Sequence, residues 1–350
     1  MSRSRRFALI CSLALVTAGG SAPAQPGRAQ REIVHVAGDV YRANNGNWWS
    51  IFMVTPDGIL LGDPINVQFA TWLKGELDRR FGVPVRYVVY SHSHWDHAEG
   101  GAVFADTAHF VAHETMWQNM DGRYPQMPGD MIDRNNNGAI DSEEIMIPTN
   151  ARPGICGMFA GFHAQIDRNG DGIATPAELQ RDIVRPDIVY SDRMSIELGG
   201  KRVELIHPGL NHSNDATVIL FPEERVLFAT EFIADALVTD DIHSLPSGCG
   251  PFDGSPMSEW IRSYRTVEAL DFDILAGGHG RALFDKQGVT DTRIYFETLK
   301  AAVESAMAAG LSLDEMKESI RLEQYAGWVN YDRLLGDNIE AAYLNLTRYR

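Results

Sequence analysis

The stretch Ser91-His92-Ser93-His94-Trp95-Asp96-His97 constrains this chain more than any other. Three histidines and one aspartate fall within six residues, in the order His-x-His-x-Asp-His. Histidine is 11 of 350 residues, so chance matches are expected on the order of one in a thousand such chains. Before the cluster, Val85-Arg86-Tyr87-Val88-Val89-Tyr90 is rich in β-branched and aromatic residues and predicts a strand. After it, Glu99-Gly100-Gly101 predicts a turn, with a short helix beginning at residues 102–104. A cluster at the carboxyl end of a buried strand stands at the rim of a sheet, where open α/β folds bind ligands. Neutral imidazoles suit zinc, iron, nickel or copper, and a carboxylate can complete such a site.

The flanking pattern predicts an α/β fold. Strands are expected over residues 33–36, 48–54 and 59–63, the second preceded by the turn Asn44-Asn45-Gly46-Asn47. Val67, Phe69, Trp72, Leu73 and Leu77 have helical spacing, and a strand returns at Ala108-His109-Phe110-Val111. This β-β-helix-β-helix-β alternation calls for layers of sheet and helix.

The alternation stops between Asp121 and Asp187. Two twelve-residue loops stand there, starting at Asp133 and Asp167. The first offers oxygens from Asp133, Asn135, Asn137, Asp141 and Glu144, with the Ala139 carbonyl at position 7 and Gly138 at the sharp turn. The second offers Asp167, Asn169, Asp171, Thr175 and Glu178, with the Ile173 carbonyl at position 7. Hard oxygens at these positions match the EF-hand calcium loop. The expected exiting helix runs from Ala177 to Ile183, and the entering one from Met158 to Ile166. Pro125, Pro128 and Gly129 shorten or break the helix that would enter the first loop. From Asp187 strands resume, so residues 121–186 are expected as an EF-hand pair inserted into one domain made of 25–120 and 187–350, with helices from about residue 290 onward.

Beyond the insertion, His212 sits in the polar loop His207–Asp215, Glu231 follows a strand ending at Ala229-Thr230, and His279 follows the strand Asp273-Ile274-Leu275-Ala276. With these pieces, residues 33–121 and 187–282 resemble the metallo-β-lactamase fold superfamily. The resemblance implies a four-layer αβ/βα sandwich with two zinc-type ions in a shallow groove. It implies His92, His94 and His212 on one ion, and Asp96, His97 and His279 on the other. Many members place a bridging Asp where this chain has Glu231, one methylene longer; the β-lactamases of the family usually have no acid there. Asp63 matches the family's strand-ending acid, placed to orient a histidine. Asp96 is the candidate for passing a proton to the leaving group. His35, His109, His113, His163 and His243 are read as structural; His207 is read as a structural loop histidine ahead of one that points into the groove, and Trp48 and Trp49 as packing residues ahead of groove lining.

The address is read from the first residues. Arg3, Arg5 and Arg6 precede a short apolar run, and Ala22-Pro23-Ala24 fits a cleavage site, so residues 1–24 are expected as a secretory signal peptide and the mature protein as periplasmic or secreted. Losing three arginines and no acids takes the formal net charge from −16 to −19. Such a surface repels nucleic acid and anionic lipid, and no other stretch is long and apolar enough for stable membrane insertion. Cys156 and Cys249 would remain in an oxidising compartment, where they are able to pair.

The expected function is an exported metal-dependent hydrolase, with two zinc ions and calcium, acting on a small-molecule ester, lactone, thioester or β-lactam-like cyclic amide. Ions of this kind bring bound water to a pKa of about 7, and no Gly-x-Ser-x-Gly nucleophile elbow is present. Two alternatives stand beside it: an iron-dependent oxidative member of the superfamily, and a calcium-dependent binding protein without turnover.

Overall fold

The computed structural model describes residues 31–120, 140–141, 166–231, 241–246 and 255–349. The expected signal peptide, Asp133, Asn135, Asn137, Ala139, Glu144, His163, Cys156 and Cys249 lie outside the described residues.

Two mixed sheets face each other. The first has seven strands: β1 (Ile33–Ala37), β2 (Val40–Asn45), β3 (Trp48–Thr55), β4 (Gly58–Gly62), β5 (Val85–Val89), β6 (His109–His113) and, beyond a short antiparallel pair β7 (Ile140–Asp141) and β8 (Ile173–Ala174), β9 (Ile188–Tyr190). The first four are antiparallel neighbours; β4, β5, β6 and β9 run parallel. The second sheet runs β10 (Arg193–Leu198), β11 (Lys201–Ile206), β12 (Val218–Phe221), β13 (Val226–Phe228), β14 (Ile274–Ala276) and β15 (Leu283–Phe284), with only β13 and β14 parallel.

The strands are apolar on both faces because both faces are covered. Side chains alternate along a strand, and the core divides accordingly. Ile51, Met53, Leu60, Val89 and Val111 of the first sheet pack against Leu205, Ile219, Phe221, Val226 and Phe228 of the second. Their neighbours Phe52, Leu61, Val88 and Phe110 point the other way, onto helix α1 (Val67–Phe81) through Phe69, Leu73 and Leu77. Leu220, Leu227 and Leu275 likewise point away from the centre, onto the long helices Met257–Glu268, Lys286–Ala308 and Tyr331–Arg348. The order helix, sheet, sheet, helix is the expected four-layer α/β arrangement. Helix α1 is fixed at both ends: Asn66 Oδ1 accepts from Phe69 N at 2.9 Å, and Gly82 closes it in the left-handed conformation. Such an N-cap is worth about 1 kcal/mol.

Two local expectations change. Residues 99–101 do not turn; they open the 3-10 helix Glu99–Phe104, where a Cβ on Gly100 would meet the Pro64 carbonyl at 2.4 Å. The helix expected over residues 177–183 is a single turn, Pro176–Leu179, set by a Thr175–Glu178 capping box. Apart from these two changes, residues 166–186 pack on the main body. Ile166, Leu179 and Ile183 bury into the α1 core, the Tyr90 hydroxyl donates to the Val184 carbonyl at 3.1 Å, and β9 pairs directly with β6. Among the described residues no helix is long and apolar enough to cross a membrane.

Candidate metal centre

The strands end at one rim, and the sequence motif stands there. His92 and His94 follow β5, His92 in a bend; Asp96 and His97 lie on the one-turn helix Trp95–Ala98, which His94 opens. His212 comes from the loop after β11, Glu231 from just beyond β13, and His279 from just beyond β14. Glu231 holds a left-handed backbone, φ 49°, which is strained for a side chain of this kind.

Two groups form. His92, His94 and His212 make one; Asp96, His97, Glu231 and His279 make the other, and within each group the nearest ligand atoms lie within 4.8 Å of one another. Four donors about 2.05 Å from one tetrahedral ion would lie roughly 3.3 Å apart. The observed spacings are close to that: His94 Nδ1 to His212 Nε2 is 3.1 Å, His97 Nε2 to His279 Nε2 is 3.1 Å, and His97 Nε2 to Glu231 Oε1 is 3.2 Å. Glu231 reaches both groups. Oε1 faces His97 and His279, and Oε2 lies 3.7 Å from His212 Nε2.

Protonation follows from the partners. Asp63, wholly buried at the end of β4, accepts from Ser91 N at 2.8 Å, Ser91 Oγ at 2.7 Å and Thr230 Oγ1 at 3.0 Å. The Ser91 hydroxyl proton is therefore spent on Asp63, and Ser91 Oγ accepts from His92 Nδ1 at 2.9 Å. His92 Nε2 is left as a lone-pair nitrogen, buried and without a hydrogen-bond partner; Asp96 Oδ1 is in the same position. Buried polar atoms in proteins are rarely left so, and both belong to the convergent groups, so the donor set fits metal ions. Burial, followed by the imidazoles of His94, His97 and His212, holds His92 well below the usual histidine range. Burial opposes charge on His97, but Asp96, Asp63 and Glu231 outweigh it and raise its pKa well above that range. Burial also opposes charge on Glu231, yet His279 and His212 hold its carboxyl well below the usual range.

Trp48 is not merely a packing residue. Its Nε1 donates to Asp96 Oδ2 at 3.0 Å, its ring lies 5.6 Å from that of His279, and it is half-buried at the groove. Trp49 does pack, 2% exposed beneath Arg42. Asp63 lies 3.4 Å from His97 Nδ1, as a histidine-orienting acid would. His207 turns from the groove and stacks on His113, ring centroids 4.2 Å apart, with Nδ1 on the Ala216 carbonyl. His35, His109 and His243 bind the Gly38 carbonyl, Asp187 and Asp291, away from the two groups.

The acidic loop 167–178 is organised differently. Asp167 accepts from the amides of Gly170, Asp171 and Gly172; Asn169 accepts from Asp171 N; Asp171 accepts from Ile173 N; Glu178 accepts from Thr175. Gly172, at the sixth position, has φ +88°, which only glycine adopts readily. Ile140 pairs with Ala174, so the eighth positions of the two expected loops meet in a short antiparallel pair. Asp167, Asp171 and Glu178 are not among the convergent metal-ligand groups of the described residues.

Relatives are distant. The chain is 21% identical over 314 residues to the 2,4-dinitroanisole O-demethylase subunit alpha of Nocardioides sp. (strain JS1661), covering 88% of this chain and 75% of that one. It is 22% identical over 294 residues to a linear primary-alkylsulfatase of Pseudomonas sp. (strain ATCC 19151), covering 79% of this chain and 51% of that enzyme. Among solved structures, the stereoselective inverting sec-alkylsulfatase Pisa1 from Pseudomonas sp. superposes with a TM-score of 0.61 at 16% identity, over 91% of this chain and 50% of that one. A metallo-beta-lactamase from Pontibacter korlensis superposes with a TM-score of 0.51 at 15% identity, over 77% of this chain and 99% of that one. The chain thus spans about half the length of the alkylsulfatases it matches. The model of the metallo-beta-lactamase superfamily matches residues 70–279, more than half of the sequence and the span that holds every residue of the two ligand groups, so the chain belongs to that superfamily.

Proposed function

We propose that this protein is an exported hydrolase of a small-molecule ester-like substrate that works with two zinc-type ions. His92, His94 and His212 would hold one ion, and Asp96, His97 and His279 the other, with Glu231 shared between them. The observation that carries the reading is the placement of Glu231, whose two oxygens face the two groups. Zinc-type ions supply an activated water near neutral pH and polarise the bond to be broken.

The chain's own residues do the rest. Asp63 fixes Ser91, and Ser91 fixes the His92 tautomer, so Nε2 faces the groove. Trp48 Nε1 holds Asp96 Oδ2, which fixes the carboxylate and leaves Oδ1 as the oxygen that would serve the second ion. Glu231 stays anionic among imidazoles, so the pocket keeps a negative charge to offset divalent ions. The indole face of Trp48, beside His279, forms an apolar wall for the non-reacting part of a substrate.

The relatives widen the substrate class. One is named as an alkylsulfatase and one as an O-demethylase subunit, so sulfate esters and aryl methyl ethers join esters, lactones, thioesters and cyclic amides. The test is metal analysis, then a screen of zinc-loaded protein against chromogenic members of each class. Turnover of one class that is abolished by a chelator and restored by zinc supports the reading. Stoichiometric zinc with no turnover of any class removes it.

Residues 121–186 are read as a calcium-binding insertion and residues 1–24 as an export signal. What supports the first is the pairing of Ile140 with Ala174 and the left-handed Gly172. Calcium would act there as a structural clamp, through Asp167, Asn169, Asp171, Thr175, Glu178 and the Ile173 carbonyl. Mass measurement of protein recovered from the periplasm or medium checks the second: a chain beginning after Ala24 is expected.

A further inference from the structure

Arg42, on β2, is 1% exposed. Arginine is almost never buried unless paired, because a charge taken out of water loses its hydration. Four of its hydrogen bonds go to carbonyls of a single loop. Nη2 donates to the carbonyls of Gly277 at 2.9 Å and Gly280 at 3.0 Å, and Nη1 to those of Arg281 at 3.2 Å and Ala282 at 3.5 Å. The Trp49 ring lies under the guanidinium, 4.2 Å from Cζ. The adjoining β2–β3 turn completes the hold: Trp49 N donates to the Gly278 carbonyl at 2.7 Å, and Gly280 N donates to the Asn47 carbonyl at 3.1 Å.

The loop so held carries His279. Carbonyls on both sides of that residue are taken, and its own backbone bridges to Trp48. The loop is also moulded to its bed. A Cβ on Gly278 would meet Thr230 Cγ2 at 2.4 Å, and Gly280 has φ +67°. None of these bonds reaches the loops that carry His92, His94 or His212.

We infer that Arg42 is a positioning residue for the second ligand group, holding the 277–282 loop so that His279 Nε2 faces His97 and Glu231. It touches no ligand atom and acts through the carbonyls that flank His279. A planar fork reaches two pairs of carbonyls at once, which the point charge of a lysine does not. The inference rests on the two-ion reading above.

The test is titration of metal-free wild type, Arg42→Met and Arg42→Lys with zinc alone, and with cobalt for its absorption bands, reading the number of ions and each affinity. His212→Ala and His279→Ala assign the two binding events to the two groups. Wild type is expected to take two ions. In Arg42→Met the event assigned to the His279 group should weaken roughly 10–100-fold, the usual effect of losing an outer partner of a metal ligand, while the His212 group stays within about threefold. Arg42→Lys should fall between, and it carries the same comparison if Arg42→Met does not fold. Equal weakening of both events would show a merely structural residue and overturn the inference, as would two unchanged affinities. Fewer than two ions in wild type would remove the two-ion reading itself, and the inference with it.

Discussion

The metal centre and the 167–178 loop are both rich in cation-suited side chains, and they are built on opposite plans. The centre draws seven candidate ligand side chains from four separated segments, 92–97, 212, 231 and 279, and much of it is buried. It leaves His92 Nε2 and Asp96 Oδ1 with no hydrogen-bond partner. The loop draws its oxygens from twelve consecutive residues, mostly at the surface, and several of them already accept from its own amides. In the centre, folding itself carries the desolvation cost, so an ion finds donors waiting. In the loop, an ion must compete with backbone amides and water. The expectation is a tight site that decides function beside a weak site that affects stability.

The largest effect should come from breaking the centre. His94→Ala removes a donor that faces His212 at 3.1 Å. It should lose one of two zinc ions and at least roughly a hundredfold in kcat/KM on the substrate found by the screen, more than the usual loss from an outer partner. Metal analysis and steady-state kinetics check it, and retention of both ions at wild-type affinity would refute the assignment. The same measurement on Asp167→Ala should show no change in zinc content.

Asp63→Asn asks whether the centre depends on a carboxylate outside the convergent groups. The substitution replaces an acceptor of three bonds, one on Oδ1 and two on Oδ2, with an amide whose nitrogen cannot accept at either position, so the three cannot all be kept. A buried bond network broken this way costs about 1–3 kcal/mol, and the loosened His92 should cost roughly 10–100-fold in zinc affinity. Denaturant unfolding and zinc titration read the two effects separately. A stability loss without an affinity loss would confine Asp63 to the scaffold.

How much of this was legible before the fold was known depends on distance along the chain. The strand-helix alternation and the His-x-His-x-Asp-His cluster are local patterns; the alternation returns in the sheets and helices, and the cluster's side chains stand together at the rim. His212 and His279 lie far from that cluster, but each follows a strand, which is enough to mark them. Arg42 and Trp48 carried no such mark. Trp48 meets Asp96 across 48 positions and Arg42 meets Gly277 across 235, and neither has a neighbour in sequence that hints at the partner. A tryptophan on a strand looks the same whether it packs or donates. The helix expected after Thr175 failed for a related reason: the chain leaves it early so that Ile183 enters the core and β9 pairs with β6.

Asp215 sharpens the contrast through pH. It is buried behind the centre, where Ser93 Oγ and Ser213 Oγ both donate to its Oδ1 while Oδ2 has no partner. Burial pushes its pKa up to about 7, against about 3.9 for an unfolded chain. The raised value means that the folded state holds this proton more tightly. Its contribution to stability is full below about pH 4 and is lost as pH rises through about 7. Asp215→Asn cannot titrate, so in metal-free protein its stability relative to wild type should improve from about pH 4 to about pH 7 and level off above that. Urea unfolding at several pH values measures this, and a constant difference between the two proteins would show that Asp215 is charged throughout.

The smallest effect belongs to the loop. Exported EF-hand-type sites commonly bind calcium at about 10⁻⁴ to 10⁻³ M, so 10 mM calcium would exceed the dissociation constant by roughly 10–100-fold. Mass action then stabilises the folded state by about 1.4–2.7 kcal/mol, which corresponds to a rise in melting temperature of a few degrees. The rise should vanish in Asp167→Ala, whose Asp167 oxygens otherwise gather three loop amides. Zinc-dependent turnover per folded molecule should be the same with and without calcium. The loop does touch the frame of the centre, because Arg168 pairs with Glu99, two residues beyond His97. If calcium raised turnover without moving the melting temperature, that ion pair would be the first route to examine, and the separation between a functional pocket and a stabilising loop would not hold.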